Sequence, residues 1–219
     1  MIRLLLLASL LAPLVADAQR PAPTTSTNRA PASTSASASA SAPSPTADRD
    51  ARLTRADRGR VRGKSDALWI VVISDFQCPY CQRLAREVLP ALKAMAREGR
   101  LRLAYRHFPL YEIHPEAVPA AVASECAAAQ GAFWAYHDLL MAGSGWDYPA
   151  LARRLGLDPK AFQACLEDPA SRAPVEADRA LAERLGLPGT PSVFVGPFRL
   201  PNPFDLERYR DYLALAEAL

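Results

Sequence analysis

The chain has 219 residues, of which 50% are hydrophobic and 22% charged, so it can build the hydrophobic core of one or two domains. Its 26 lysines and arginines nearly balance 23 acidic residues, which leaves a formal net charge of +3. That balance argues against a nucleic-acid-binding protein, because such proteins carry a strongly basic patch or domain.

The N-terminus has the three parts of a secretory signal peptide. Met1-Ile2-Arg3 is positively charged, residues 4–15 are almost wholly apolar, and Ala16-Asp17-Ala18 has the small-x-small pattern of a cleavage site. The apolar run is too short to span a bilayer comfortably, which argues against an uncleaved anchor. We therefore expect residues 1–18 to be removed and the mature protein to lie in the periplasm or another extracytoplasmic compartment, where disulfides persist.

Residues 19–59 are predicted to form a disordered linker rich in proline, alanine, serine and threonine. Its low-complexity stretch at 32–41 cannot bury enough apolar surface to offset the entropy of ordering. Residues 48–64 are rich in arginine, and we interpret them as a short solvated helix that leads into the domain. A surface for a membrane or an acidic partner is the alternative, although charge runs are usually solvated.

The folded domain is predicted to occupy residues 60–219 and to begin with a βαβ unit. Residues 67–73 form a continuous apolar run typical of a buried strand, and helical periodicity follows from Pro79 to Gly99. Residues 101–108 alternate as a second strand does. A strand, a helix and a strand in this order predict a parallel, right-handed unit.

The rest of the domain is predicted to be a helical block followed by a hairpin and a last helix. The alanine-rich stretch 115–187 is interrupted by glycine and proline and predicts about four or five short helices. Residues 192–195 and 198–200 suggest two strands joined by a tight turn, and residues 204–219 suggest a terminal amphipathic helix. The fold class is therefore α/β, with a helical insertion at about 112–186.

The strongest chemical signal is the segment Asp75-Phe76-Gln77-Cys78-Pro79-Tyr80-Cys81, placed between the first strand and the helix. Free N–H groups and a partial positive charge at a helix N-terminus stabilise a thiolate, and can lower a cysteine pKa to roughly 3.5–7.5. Cys81 lies one turn further on, where it can resolve a mixed disulfide formed on Cys78. Pro79 loses no hydrogen bond at the first helical position. We therefore predict a redox-active Cys78–Cys81 pair.

Other readings of the C-x-x-C pattern are less consistent with the sequence. A structural zinc site needs four ligands, whereas no second C-x-x-C exists and the three histidines lack ligand spacing, so we expect no metal. Haem attachment requires a histidine after the second cysteine, where Gln82 stands, and we expect no cofactor. A purely structural disulfide would constrain little of the unfolded chain. Pro191, which precedes a predicted strand, suggests a turn there.

Three segments of this sequence resemble the DsbA-like family of thioredoxin-fold proteins: residues 69–81, 130–140 and 185–195. The resemblance covers about residues 60–219 and implies a central mixed sheet flanked by helices, with an inserted helical domain. It implies a cis peptide bond before Pro191, which would pack against the cysteine pair, and a Thr190 backbone that pairs with substrate. Well-known oxidases of the family carry histidine where this chain has Tyr80, so one source of thiolate stabilisation is missing.

The resemblance also suggests roles for other residues. Asp75 would move protons to or from Cys81, although a cap at the start of the helix explains it equally well. Cys126 and Cys165 lie in the predicted helical insertion, where some family members carry a second disulfide, which here would stabilise the domain by roughly 4 kcal/mol. A second redox pair that relays electrons is the alternative for them.

The function implied is oxidation of thiols in exported proteins, with reoxidation by a partner such as a membrane quinone-linked enzyme. A reductase or isomerase for particular envelope proteins is an alternative. We expect a monomer, because a linker stands where isomerases of this kind carry a dimerisation domain. A chaperone-like peptide-binding module is another alternative, with Phe76, Tyr80 and Pro191 lining an apolar groove.

Overall fold

A computed structural model of the chain describes residues 57, 59–64 and 66–219. In this part of the chain five strands form one sheet: β1 (Val61–Arg62), β2 (Trp69–Ser74), β3 (Arg102–His107), β4 (Ser192–Val195) and β5 (Phe198–Arg199). The strand order is β1-β3-β2-β4-β5. Strands β2 and β3 are parallel, and the other neighbouring pairs are antiparallel. The predicted parallel unit and the terminal hairpin are therefore confirmed.

Helices cover the sheet and fill the long connection between β3 and β4. They are α1 (Pro79–Glu87), α2 (Leu89–Arg97), α3 (Ala117–Ala129), α4 (Phe133–Met141), α5 (Tyr148–Arg154), α6 (Pro159–Glu167), α7 (Ala173–Arg184) and α8 (Leu206–Glu217), with a 3-10 turn at Pro169–Arg172. Five of the helices, α3 to α7, form the insertion, which confirms the predicted α/β fold with an inserted helical block. In the part described, no helix combines the length and apolarity needed to cross a membrane.

The helix predicted from Pro79 to Gly99 is two helices instead. The chain leaves helical geometry at Val88, with φ −116° and ψ −48°, and α2 then starts with Pro90 in its first turn. A proline nitrogen cannot donate to the carbonyl four residues earlier, and its ring crowds that carbonyl. The single long helix was therefore a wrong prediction, and Pro90 is the reason.

The predicted solvated helix at 48–64 is wrong for residues 60–62, although Asp57 and Gly59 are helical. Val61 and Arg62 pair with β3, and the Arg60 side chain is only 2% exposed. Arg60 Nε lies 3.1 Å from Glu125 Oε1, and its Nη1 contacts Asp178. Burial alone would lower the Arg60 pKa, but the carboxylates of Glu125 and Asp178 raise it above its ordinary value.

The buried ion network around Arg60 also includes Asp57 and Arg106. Asp57 is 6% exposed and contacts both Arg60 and Arg106, while Arg106 Nη1 lies 2.9 Å from Asp178 Oδ1. Asp57, which precedes the predicted start of the domain at residue 60, is therefore part of this buried network. The predicted signal peptide at 1–18 and nearly all of the predicted linker lie outside the described residues.

Candidate active site

The two cysteines of the C-x-x-C segment lie where β2 passes into α1. Cys78 is the N-cap residue of α1, with φ −68° and ψ 122°, and Pro79 follows in the first turn. Both cysteines are free thiols, 4% exposed at Cys78 and 1% exposed at Cys81. The Cys78 sulfur therefore lies at the positively polarised N-terminus of α1, and Cys81 lies about one turn further along the helix.

The surroundings of Cys78 favour its thiolate form. A hydrogen bond from the Cys81 thiol is the largest influence on the Cys78 pKa and lowers it, whereas burial raises it. Further hydrogen bonds come from Thr190 and from the backbone N–H groups of Cys81 and Tyr80, and they bring the Cys78 pKa to about 6. Cys78 is therefore mostly ionised at neutral pH, which makes it a good attacking group and a good leaving group.

Cys81 has the opposite preference. Burial raises the pKa of the Cys81 thiol well above its ordinary value, and the neighbouring Cys78 raises it further. A hydrogen bond with Ser74 acts in the other direction, and the backbone N–H of Asp75 lies 3.5 Å from the Cys81 sulfur. At neutral pH the pair therefore holds one thiolate, on Cys78, and one thiol, on Cys81.

The loop before β4 closes the other side of the Cys78 sulfur. The peptide bond between Thr190 and Pro191 is cis, and Cys78 in its protonated form donates to the Thr190 carbonyl oxygen at 3.5 Å. The Thr190 hydroxyl is buried and has no hydrogen-bond partner among the described residues while Cys78 is protonated, so it is free to donate to the Cys78 thiolate. A cavity of about 350 Å³ opens beside this loop and is lined in part by Gly189, Pro191 and Arg199. The sheet thus brings Thr190 and Pro191 next to the cysteine pair.

Asp75 organises the loop that leads into α1. Its Oδ1 accepts from the Gln77 backbone N–H at 2.7 Å, and its Oδ2 accepts from the Leu110 N–H at 2.9 Å. The same Oδ2 lies 2.8 Å from His114 Nδ1. The α1 helix has no side-chain cap, so Asp75 does not cap it. Both carboxylate oxygens are occupied by loop donors, which favours a positioning role over proton transfer to Cys81.

The expectation that Phe76 lines a peptide groove is wrong. Its side chain is 1% exposed, and its ring lies 5.4 Å from the Tyr105 ring and 5.7 Å from the His137 ring. Residue 76 points into the core because the chain turns at the end of β2. Tyr80, in contrast, is 61% exposed beside the cysteines, where it can contact another molecule.

Sequence reasoning missed the loop that follows β3. His114 contacts Asp75, and the Glu116 backbone N–H donates to Gln77 Oε1 at 2.7 Å. These contacts join positions 39 residues apart, so no local pattern could reveal them. Ser74, which forms a hydrogen bond with Cys81, was also not predicted as part of the site.

The remaining two cysteines form a disulfide within the helical insertion. Cys126 on α3 and Cys165 on α6 are bonded, with Cα atoms 5.6 Å apart and 39 positions between them in sequence. Neither residue lies at the start of its helix. Among the described residues, no three or more histidine, cysteine, aspartate or glutamate side chains are grouped as metal ligands.

Comparisons with known proteins agree with this geometry. A family model described as Thioredoxin matches residues 55–214. A thioredoxin-like oxidoreductase from Silicibacter pomeroyi has 30% sequence identity and a TM-score of 0.64, over 75% of this chain and 96% of that chain. BdbD from Bacillus subtilis has 20% identity and a TM-score of 0.66, over 74% of this chain and 95% of its own, which shows a shared fold.

Curated relatives of this chain are longer proteins that are named as antiporters. The Na(+)/H(+) antiporter NhaA 3 of Salinispora tropica is 38% identical over 157 residues, which are 69% of this chain and 24% of that protein. The chain therefore spans about a quarter of the length of the curated relatives it matches. The name describes those longer proteins as wholes.

Proposed function

Because this chain belongs to the thioredoxin family and its C-x-x-C segment resembles that of DsbA-like members, we propose that it is an exported thiol–disulfide oxidoreductase that forms disulfides in other exported proteins. The observation that carries the proposal is the unequal cysteine pair. Cys78 has a pKa lowered to about 6, whereas the pKa of the buried Cys81 is raised well above its ordinary value. A pair of this kind stabilises its reduced form, which makes its disulfide an oxidant.

The reaction begins with a disulfide between Cys78 and Cys81. A substrate thiolate attacks the Cys78 sulfur, so that a mixed disulfide forms and the bond to Cys81 breaks. The electron pair goes to the Cys81 sulfur, which takes up a proton because its pKa is high. The roles follow from exposure, since Cys78 is 4% exposed and Cys81 is 1% exposed.

A second substrate thiolate then completes the transfer. It attacks the substrate sulfur of the mixed disulfide, and Cys78 leaves as a thiolate stabilised at the N-terminus of α1. The substrate loses two electrons and gains a disulfide, and the chain gains the two electrons. One proton ends on Cys81, and none is needed on Cys78 near neutral pH because its pKa is about 6.

Residues around the Cys78 sulfur would hold the substrate. The Thr190 backbone, which lies against the Cys78 sulfur, would pair with an extended peptide, and Pro191 would contact the peptide beside it. The exposed ring of Tyr80 offers an apolar contact on the other side. We therefore assign substrate binding to Thr190, Pro191 and Tyr80, and a positioning role to Asp75.

Export of the chain and reoxidation of its cysteine pair would depend on other proteins of the cell. We propose that cleavage after Ala18 releases the protein outside the cytosol as a monomer, where a membrane quinone-linked enzyme or another redox partner reoxidises the cysteine pair. The mass of the protein purified from the extracytoplasmic fraction tests the cleavage. A mass that retains residues 1–18, or recovery in the cytosol alone, would contradict export.

A trapping experiment tests the assigned chemistry. A Cys81→Ser variant whose Cys78 has first been converted to a mixed disulfide with glutathione should exchange the glutathione for the thiol of a substrate protein. It should then accumulate this second mixed disulfide, because it lacks the Cys81 thiol that would release the substrate. The matched Cys78→Ser variant should trap none, and oxidised wild-type chain should oxidise a reduced dithiol peptide. Equal trapping by both variants, or full activity of a Cys78→Ser, Cys81→Ser chain, would favour a peptide-binding module instead.

A further inference from the structure

A second concave site lies at the end of α1 opposite Cys78. It is a cavity of about 410 Å³ between α1, α2 and α4, lined by the cations Arg86, Lys93 and Arg97. Its only acidic lining residue is Asp138, and Pro90 and Met141 provide apolar walls. We call it the basic pocket. Its volume lies within the range of about 300–1,000 Å³ that is typical of small-ligand sites.

A fourth cation approaches the pocket from the sheet edge. Arg62, on β1, places its guanidinium carbon 5.5 Å from the centre of the Trp134 ring, and Lys93 Nζ lies 5.0 Å from the same centre. The Trp134 ring therefore contacts two cations, Arg62 and Lys93. Arg62 comes from the arginine-rich run at 48–64, which the redox chemistry does not use.

The basic pocket has too few carboxylates for its cations. Asp138 contacts Lys93, and it is shared with His137, whose Nδ1 lies 2.8 Å from Asp138 Oδ1. In the part of the chain that is described, no carboxylate forms an ion pair with Arg62, Arg86 or Arg97. Four cations and one carboxylate leave an excess of three positive charges around one cavity.

The excess positive charge is partly shielded from water, so the repulsion between these cations is unfavourable when no anion is bound. The Lys93 side chain is only 11% exposed. Burial lowers the pKa of Lys93 most, Asp138 raises it, and the nearby Arg62 and Arg97 lower it further. Like charges so close together repel one another more strongly where water is partly excluded. An anion in the basic pocket would relieve this repulsion.

We propose that the basic pocket binds a phosphate group. A phosphate carries up to two negative charges and several acceptor oxygens, and guanidinium groups bind it through paired hydrogen bonds. The exposed guanidiniums of Arg86 and Arg97 can close over the anion, while the nearly buried Lys93 holds it from below. The phosphate comes either from a lipid headgroup or from a free phosphate-bearing molecule, and Pro90 and Met141 can contact the attached carbon atoms.

Binding can be measured on the full chain with two probes. The first is inorganic phosphate, titrated at constant ionic strength and followed by amide chemical shifts in α1, α2 and α4. The second is sedimentation with phosphatidylcholine vesicles, prepared with and without phosphatidylglycerol. If the chain binds both inorganic phosphate and the phosphatidylglycerol vesicles, the site takes a lipid headgroup. If it binds inorganic phosphate but not the vesicles, the site takes a free phosphate-bearing molecule. Either result supports the proposal.

Variants decide whether the basic pocket is the site. Arg86→Gln with Arg97→Gln should weaken phosphate binding about tenfold or more, because two charged hydrogen-bonding partners are lost. Arg184→Gln with Arg210→Gln removes the same charge from exposed positions elsewhere and should change binding less than about twofold. Asp138→Asn should strengthen binding, because it removes the one opposing carboxylate.

The redox site offers a further control. A Cys78→Ser, Cys81→Ser chain should bind phosphate as the wild type does, so this proposal can fail or succeed independently of the proposed oxidoreductase activity. No phosphate-dependent shift in the wild type would overturn the site. Equal weakening by the two double-arginine variants would also overturn it, since the effect would then reflect only overall charge.

Discussion

The Cys78 thiol lies 3.5 Å from the Thr190 carbonyl oxygen, although 112 positions separate the two residues in the chain. Strand β4 pairs with β2 in antiparallel register, with Ser192 opposite Ile73, and this pairing carries the cis-proline loop to the start of α1. The sulfur is therefore enclosed between a helix N-terminus and a loop backbone. Disulfide exchange must take place in that gap.

The reactivity of Cys78 should follow its lowered pKa. The rate of alkylation of the reduced chain should rise with a midpoint near pH 6, because only the thiolate reacts and the Cys78 pKa is about 6. Cys81 should stay unmodified over the same range, since it is buried. Iodoacetamide kinetics with peptide mass mapping measures both, and a midpoint above about pH 8 would contradict the proposed stabilisation.

The same pKa predicts how the stability of the reduced form depends on pH. The pKa of a cysteine in the unfolded chain is about 8.5. A cysteine whose pKa is lower than this in the folded state contributes its full stabilisation at pH values above the unfolded-state pKa. This contribution is lost as the pH falls through the folded value of about 6. Denaturant unfolding of the reduced chain, compared with a Cys78→Ala variant from pH 5 to pH 9, should show a difference that shrinks toward low pH.

The Thr190 hydroxyl should help to stabilise the thiolate. It is buried without a partner, and it can donate to the Cys78 sulfur once that sulfur is ionised. Thr190→Val should therefore raise the Cys78 pKa by about one unit, the effect of one hydrogen bond to a charged group. Absorbance of the thiolate near 240 nm measures the pKa. Ser192→Ala is the control, because the Ser192 hydroxyl bonds to the Gly189 carbonyl and should leave the pKa unchanged.

The disulfide of the helical insertion should stabilise the fold without taking part in the redox reaction. Replacing both Cys126 and Cys165 by alanine should lower the free energy of unfolding by about 4 kcal/mol, from the entropy of a loop that spans 39 positions. The rate at which Cys78 reacts should stay the same. A loss of thiol oxidation by the folded double variant would instead favour an electron relay through this pair.

Replacing the buried Arg60 should lower the free energy of unfolding more than replacing the exposed Arg83. Arg60→Ala removes the buried guanidinium from Glu125 and one of the two arginines that contact Asp178, and should cost about 3–5 kcal/mol of unfolding free energy. Arg83→Ala breaks a pair with Glu87 in which both side chains are 50% exposed, and should cost less than about 1 kcal/mol. Urea unfolding of the two variants gives the comparison, and similar costs would show that the Arg60 network is unimportant for stability.

The parts of the site that depend on local sequence were predictable. A buried strand followed by C-x-x-C and a proline at the first helical turn predicts Cys78 at a helix N-terminus, because each signal acts within a few residues. The hairpin of β4 and β5 follows in the same way from short strands and a tight turn. Pro90 was also visible in the sequence, and it gave enough information to predict the break between α1 and α2.

The parts that depend on distant contacts were not predictable. Arg60 reads as one of many solvated arginines, and only the fold shows that it meets Asp178, 118 positions away. Asp75 could be a cap or a proton carrier until the loop after β3 places Leu110 and His114 beside it. Burial of Phe76 likewise depends on Tyr105 from another strand. A single sequence carries the residue types of such a site but not their partners.

The measurement that tests the account most directly is the redox equilibrium of Cys78 and Cys81 in glutathione buffers. A Cys78 pKa of about 6 is about one unit below that of thioredoxin, and one unit corresponds to about 30 mV. A potential of about −240 mV or higher is therefore expected, which is more oxidising than that of thioredoxin. A potential at or below about −270 mV, the value of thioredoxin, would contradict it and identify the chain as a donor of electrons.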